Sequence, residues 1–290
     1  MVARSYLMNF SDESLASWAS ILGTLISFLG LIQSRAWLTA IGIFFIGASL
    51  IAIAYARRER RVVTSAMVQV EGRSIDSLNI ANLRRRVNRS LMIQEAHQVA
   101  RIEGEDLKIT WQYTGYCRAR RETAIEFSID SDNGIPFDSL DCVAYDLRCD
   151  PERKHKIRPI LIGTDGLSKK IAVPFLEPLT VQQPFTILLK CALPGCMKAG
   201  LDYYTSTLSF DQDRVRYLTV RLIFVNNRPQ WVRLYQCAAS GSAKLLKDLR
   251  PFLQDQYLTE YLDVAKDVAA QSARIYVFRR ATLLGRKRLG

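Results

Sequence analysis

Two uninterrupted apolar runs lie near the start of the chain, Leu15 to Ile32 and Ala36 to Tyr55, and neither contains a charged residue. Only Gln33, Ser34 and Arg35 part them. At the helical rise, roughly 18 to 20 apolar residues match a hydrocarbon layer of about 30 Å, so each run predicts one transmembrane helix. So short a link cannot recross a bilayer, which makes the pair an antiparallel hairpin. Small residues form a stripe on each helix: Ser20, Gly23, Ser27 and Gly30 on the first, Ala40, Gly47 and Ala54 on the second. Such stripes let backbones approach closely, either within one hairpin or between chains as a homo-oligomer. A cleaved signal peptide and a pair of buried core helices are the competing readings of these runs. Asp12 and Glu13 directly before the first run speak against a signal peptide, and the missing polar face speaks against core helices.

After the second run the pattern turns basic and then periodic. Ile75, Leu78, Leu83, Val87 and Leu91 recur at roughly helical spacing among arginines, which predicts an amphipathic connector. Leu91 to Ile102 also reads as an edge strand. From Asp106 onward strict alternation takes over, as in Leu107, Ile109, Trp111 and Tyr113, and again in Ile125, Phe127 and Ile129. Further strand-like runs are 157–162, 170–175, 185–193, 203–210, 215–225, 231–235 and 274–279, separated by turn dipeptides such as Pro194-Gly195 and Asn226-Asn227.

The predicted fold class is therefore membrane-anchored and mainly β. A two-helix transmembrane hairpin occupies 1–61, with helices at about 15–32 and 36–55, and a basic amphipathic connector occupies 62–105. Residues 106–290 form a cytosolic antiparallel β-sandwich, immunoglobulin-like or fibronectin-like in strand count and alternation, in preference to a closed barrel. One or two short helices interrupt it, from Ala243 to about Leu253 and near Tyr257 to Val268.

Charge sets the orientation. Arg57, Arg58, Arg60 and Arg61 follow the second run at once, whereas the link carries Arg35 alone. By the positive-inside rule both termini are cytoplasmic and the protein is integral to an inner or plasma membrane. The formal net charge is +12, and a further cluster at Arg84, Arg85, Arg86 and Arg89 joins the first as a candidate surface for lipid head groups or another anionic partner. Nucleic acid is attracted by the same charges, and a solvated basic face with no partner is the plain alternative.

Little in the sequence points to chemistry. Cysteines at 117, 142, 149, 191, 196 and 237 lack the spacing of zinc knuckles and are read as reduced thiols in a cytosolic domain. His97 and His155 stand in no nucleophilic or hydrolytic motif. Asp130, Asp132 and Gly134 begin like a calcium loop, but the glycine falls early and no closing glutamate follows, which leaves a hairpin turn. No cofactor is expected.

The first functional expectation is thus a non-enzymatic membrane protein whose β domain binds a partner protein or a small anionic ligand and controls assembly of the hairpin. In layout, two spans followed by a β-rich domain, this is similar to bacterial defence effectors that join two transmembrane helices to a β-rich nucleotide receptor and damage the membrane when activated. A constitutive scaffold binding lipid or nucleic acid is the second expectation. A membrane-tethered enzyme with an unrecognised site is the third.

Overall fold

The computed structural model describes residues 68–75, 87–130, 135–165, 167–238 and 242–280. The chain divides into two units, Met1–Ala66 and Met67–Gly290, and every described residue belongs to the second.

Alternation of apolar and polar side chains dictates strands over nearly all of it. In chain order they are β1 (Val68–Val70), β2 (Arg73–Ile75), β3 (Leu91–Glu103), β4 (Asp106–Cys117), β5 (Glu122–Asp130), β6 (Val143–Asp146), β7 (Ile160–Asp165) and β8 (Ser168–Leu179). There follow β9 (Pro184–Leu193), β10 (Leu201–Leu208), β11 (Arg214–Val225), β12 (Pro229–Ala238), β13 (Ala243–Leu249), β14 (Pro251–Gln254), β15 (Leu258–Ala269) and β16 (Ser272–Arg280). A single 3-10 turn, Phe137–Ser139, is the sole helical element among the described residues. Tight turns close the hairpins where the backbone turns left-handed. Glu71 and Gly72, with φ of 53° and 73°, both take the positive values that a type I′ turn needs between β1 and β2.

Four sheets result. A seven-stranded sheet runs β14-β15-β11-β3-β4-β9-β6, a four-stranded one β10-β16-β12-β13, a three-stranded one β5-β8-β7, and β1-β2 stand as a hairpin. Among the described strands every ladder is antiparallel except β11 with β3, which run parallel with Tyr217 opposite Glu95 and Val225 opposite Glu103. The three larger sheets share one core. Ile109 and Trp111 from the seven-stranded sheet meet Phe127 and Val173 from the three-stranded sheet and Tyr204 and Phe278 from the four-stranded sheet. On its other face the four-stranded sheet receives Val68, Val70 and Ile75 of the β1-β2 hairpin against Tyr203, Cys237 and Ile275. Covered on both faces, β16 is a continuous buried run from Ser272 to Phe278 rather than an alternating one.

One buried side-chain cluster stitches two of the sheets. Asp263 of β15, fully buried, accepts from the Tyr276 hydroxyl at 2.8 Å, pairs with Lys247 at 2.9 Å and contacts Arg274, thereby tying the seven-stranded sheet to the four-stranded one. Burial by itself pushes the Asp263 carboxyl up, but Lys247, Arg274 and Tyr276 outweigh it and hold it below the ordinary aspartate range. At the β3 bulge between Ile93 and Glu95 the facing strand comes so near that only a glycine fits. A Cβ on Gly115 would lie 1.9 Å from the Met92 carbonyl oxygen.

Several expectations are corrected. The membrane-anchored fold class has no support: among the described residues no helix is long and apolar enough to cross a membrane, and the spans at 15–32 and 36–55 lie outside those residues. What stands is a mainly-β, sandwich-like arrangement of several sheets. It also departs from an immunoglobulin-like pair of antiparallel sheets, because a parallel ladder runs through the largest sheet. The helices expected at Ala243 to Leu253 and Tyr257 to Val268 are β13, β14 and β15. Their apolar residues fall at helical spacing, yet the free edges of β12 and β11 supply ladder partners that outweigh local propensity. Leu91 to Ile102 is a strand, but an interior one, flanked by β11 and β4.

Candidate functional site

Where the three larger sheets meet, the core opens into a cavity of about 100 Å³. Its floor is the inward face of β4, which by its period of two presents Leu107, Ile109, Trp111 and Tyr113 together. The walls are two strands that end their sheets, β5 and β10, and Met197 and Phe210 also line it.

A chain of neutral hydrogen bonds crosses the floor. The Trp111 indole N–H donates to the Tyr204 hydroxyl at 2.9 Å, and that hydroxyl donates to Gln98 Oε1 at 2.9 Å. Gln98 Nε2 in turn donates to the Tyr113 hydroxyl at 3.5 Å. Burial pushes both tyrosines well above the ordinary phenol range, reinforced at Tyr113 by the nearby Tyr204 and only partly offset by Gln98. They therefore act as neutral donors and acceptors rather than as bases. Phe127 stacks on Tyr113 at 5.1 Å between centroids, and Phe210 meets the same ring edge-on at 5.4 Å, which fixes the floor rigidly.

The walls have a different character, because they are strand edges. Asn88 shows which way β5 faces: its side-chain amide accepts from the Glu126 N–H at 2.8 Å and donates to the Glu126 carbonyl at 2.9 Å. By strand alternation the backbone groups of Ser128 point to the same side. Across the slot Val87 makes an isolated parallel bridge to Phe210, just past the end of β10. The Val87 N–H bonds the Ser209 carbonyl at 3.0 Å, and the Asp211 N–H bonds the Val87 carbonyl at 3.3 Å. The same alternation turns the backbone groups of Thr205 and Thr207 into the slot. Residues 87 and 88 thus fill one end, and the two edges continue beyond them.

Among the described lining residues there is no lysine, arginine or histidine, whereas Glu126, Asp130 and Asp202 are acidic. Asp202 is paired with Arg280 at 3.3 Å, and Arg280 also donates to the Gly104 carbonyl at 2.7 Å.

The residues singled out from the sequence are elsewhere. Arg89 is exposed in the turn that follows Asn88, and it is not a lining residue. Ser20, Gly23, Ser27, Gly30, Ala40, Gly47 and Ala54 lie outside the described residues, as do Arg57, Arg58, Arg60, Arg61, Arg84, Arg85 and Arg86. His97 is a surface residue 3.4 Å from Glu95, and His155 lies 3.5 Å from Asp150 on the exposed basic loop. Cys117, Cys191 and Cys237 are buried, Cys149 is exposed, and no cluster able to hold a metal ion occurs among the described residues. Sequence reasoning missed Gln98, Asn88 and the β5 and β10 edges. Gln98 left a trace as a polar residue on the buried phase of β3, between Ala96 and Ala100.

No family model and no curated protein matches the chain. Among solved structures, it is similar to an M1 zinc metallopeptidase from Deinococcus radiodurans, with a TM-score of 0.42, 16% identity and coverage of 66% of this chain and 43% of that one. A mutant of that enzyme bound to a Tyr-Ser-Ala substrate gives 0.42 and 15%, and a two-domain form bound to L-tryptophan gives 0.41 and 14%, with the same coverages. The chain spans less than half the length of these proteins. Likeness at this level carries no statement about activity.

Proposed function

We propose that this chain is a non-enzymatic binding protein whose β domain engages a protein partner through the slot between β5 and β10. The observation that supports it is the slot itself: an apolar, rigid floor with a satisfied polar chain, walled by strand edges. The small anionic ligand of the sequence reading fits it poorly, since no basic side chain among the described lining residues offers an anion a counter-charge. The tyrosines there are held neutral by burial, and no histidine reaches the floor to take a proton, so the arrangement favours recognition over group transfer.

Site-specific photocrosslinking in cells tests this. A photoreactive side chain placed at Thr207 should capture one discrete protein that the same probe at exposed Lys266 does not capture. Identical products from both positions, or none from Thr207, would remove the slot as the binding site.

A further inference from the structure

We infer that Cys142 and Cys191 form a dithiol site that a small-molecule disulfide oxidises to a cross-strand bridge, fastening the outer strand β6 to β9. The site is independent of the slot described above.

The register of the sheet brings the two together. β6 pairs with β9 so that Val143 stands opposite Lys190 and Ala144 opposite Leu189, which sets Cys142, one step earlier, opposite Cys191. The ladder extends past that step, because the Ala192 N–H bonds the Asp141 carbonyl at 3.3 Å. Antiparallel partners alternate between pairs that share backbone hydrogen bonds and pairs that do not. Asp141 with Ala192 is bonded, whereas Ala144 turns both its N–H and its carbonyl away from Leu189 to Ile157. Cys142 with Cys191 is thus a non-bonded pair, in which opposed Cα atoms lie about 4.5 Å apart and side chains are close. A disulfide spans Cα separations of about 4.4–6.8 Å, so the bridge closes without displacing either strand. The side chains agree with the backbone: Cys191 is buried in the core, half-buried Cys142 packs against that core, and the two thiols are hydrogen-bonded. Cys117 and Cys237, by contrast, direct their thiols to the carbonyls of Ala119 and Ala238.

Unequal exposure orders the chemistry. Cys142 is partly exposed and meets the oxidant, while Cys191 is shielded. The Cys142 thiolate attacks one sulfur of the small disulfide, whose S–S bond breaks; one small thiolate leaves and takes up a proton, and Cys142 remains in a mixed disulfide. Cys191 then gives up its proton and attacks the Cys142 Sγ, expelling the second small thiol. Two protein thiols and one small disulfide become one protein disulfide and two small thiols, the protein losing two electrons and the oxidant gaining them. The Cys142 hydrogen bond, burial and Asp141 all push the Cys191 thiol up, which makes the second step the slower one. β6 ends the seven-stranded sheet, and such strands open readily. The closed bridge ties this edge down and also restricts the unfolded chain.

Mass spectrometry on the full chain tests the site. The protein is incubated natively with excess oxidised glutathione, remaining thiols are blocked with N-ethylmaleimide in denaturant, and the digest is read without reduction. A peptide linked through Cys142 and Cys191 is expected. The oxidised protein should melt roughly 5 °C or more above the reduced one, and the Val143 amide should exchange at least roughly tenfold more slowly. Dithiothreitol should reverse both changes, and Cys142→Ala should show neither. Glutathione retained on Cys142 with Cys191 still blocked by maleimide, Cys191 linked to a different cysteine, or a melting temperature unmoved by oxidation overturns the inference. Should Cys142→Ala fail to fold, the peptide map and melting of the unsubstituted chain decide alone.

Discussion

Gln212 and Ile93 hold each other at two points across a long stretch of sequence. The Gln212 side chain accepts from the Ile93 N–H at 2.8 Å and donates to the Ile93 carbonyl at 2.6 Å, while its amide also reaches the Arg214 carbonyl at 2.6 Å. Ile93 stands at the bulge of β3, where the ladder to β4 shifts register, so the glutamine fills the place of the missing strand partner.

Gln212→Leu should therefore be costly although it adds apolar surface. Two backbone groups of a fully buried residue lose their partner, at about 1–3 kcal/mol each. Urea unfolding is expected to show a lower midpoint at an unchanged slope.

Asp263 predicts an acid limb in stability. Its carboxyl is held low in the folded chain, so its contribution is complete above the unfolded aspartate value of about 3.9 and is lost as pH falls through the lower folded value. Asp263→Asn should cost about 3 kcal/mol at neutral pH, because Arg274 is left without its charge partner, and should flatten the fall in stability below pH ~4. Melting temperatures of both proteins across the acid range check this. An equally steep acid limb in the variant would assign it to other carboxylates.

Tyr113, Tyr204 and Tyr276 predict the opposite limb. Burial holds each phenol above its ordinary value, so the stability tied to their neutral forms is complete below about pH 10 and is lost as pH rises beyond it. Tyrosinate absorbance should rise in two stages, exposed rings first and these three only together with unfolding. Tyr204→Phe should cost about 1–3 kcal/mol at neutral pH, since it strips the Trp111 N–H and the Gln98 carbonyl of their shared partner.

Gly115→Ala tests the close approach of β4 to β3. The new methyl meets backbone, which cannot rotate away, so the strands must part and the loss should be at least about 1–3 kcal/mol, the usual cost of overpacking. Amide exchange should speed up first at Met92 and Ile93, whereas Gly200→Ala, with open space around it, should leave that region unchanged.

Much of the β domain was legible because its strands carry one apolar face. The alternation in Leu107 to Tyr113 and Ile125 to Ile129 places those residues in the core, where the structure has them. The misreading at β13 and β15 has a physical source. Ala243-Lys-Leu-Leu-Lys-Asp-Leu has a helix-like apolar stripe, and on β15 buried Glu260 and Asp263 break the alternation because Arg221, at 2.9 Å, and Lys247 neutralise them from other strands. Pairing partners distant in sequence leave no periodic mark. The slot escaped for the same reason: its walls are edges, and being an edge depends on what else pairs, not on the strand's own residues. Gln98 and Asn88 gain their roles only when Tyr204 and Glu126 arrive beside them.

The parallel ladder between β3 and β11 also constrains how the chain reaches this state. Opposed residues such as Glu95 and Tyr217 are roughly 120 positions apart, so their loop-closure entropy must be met before the central sheet gains its contacts. During synthesis β3 and β4 emerge with one long flank open until Arg214–Val225 leaves the ribosome. Refolding is therefore expected to be slow and concentration-sensitive, and a chain cut before β11 should aggregate through the uncovered side of β3 rather than settle as a smaller domain.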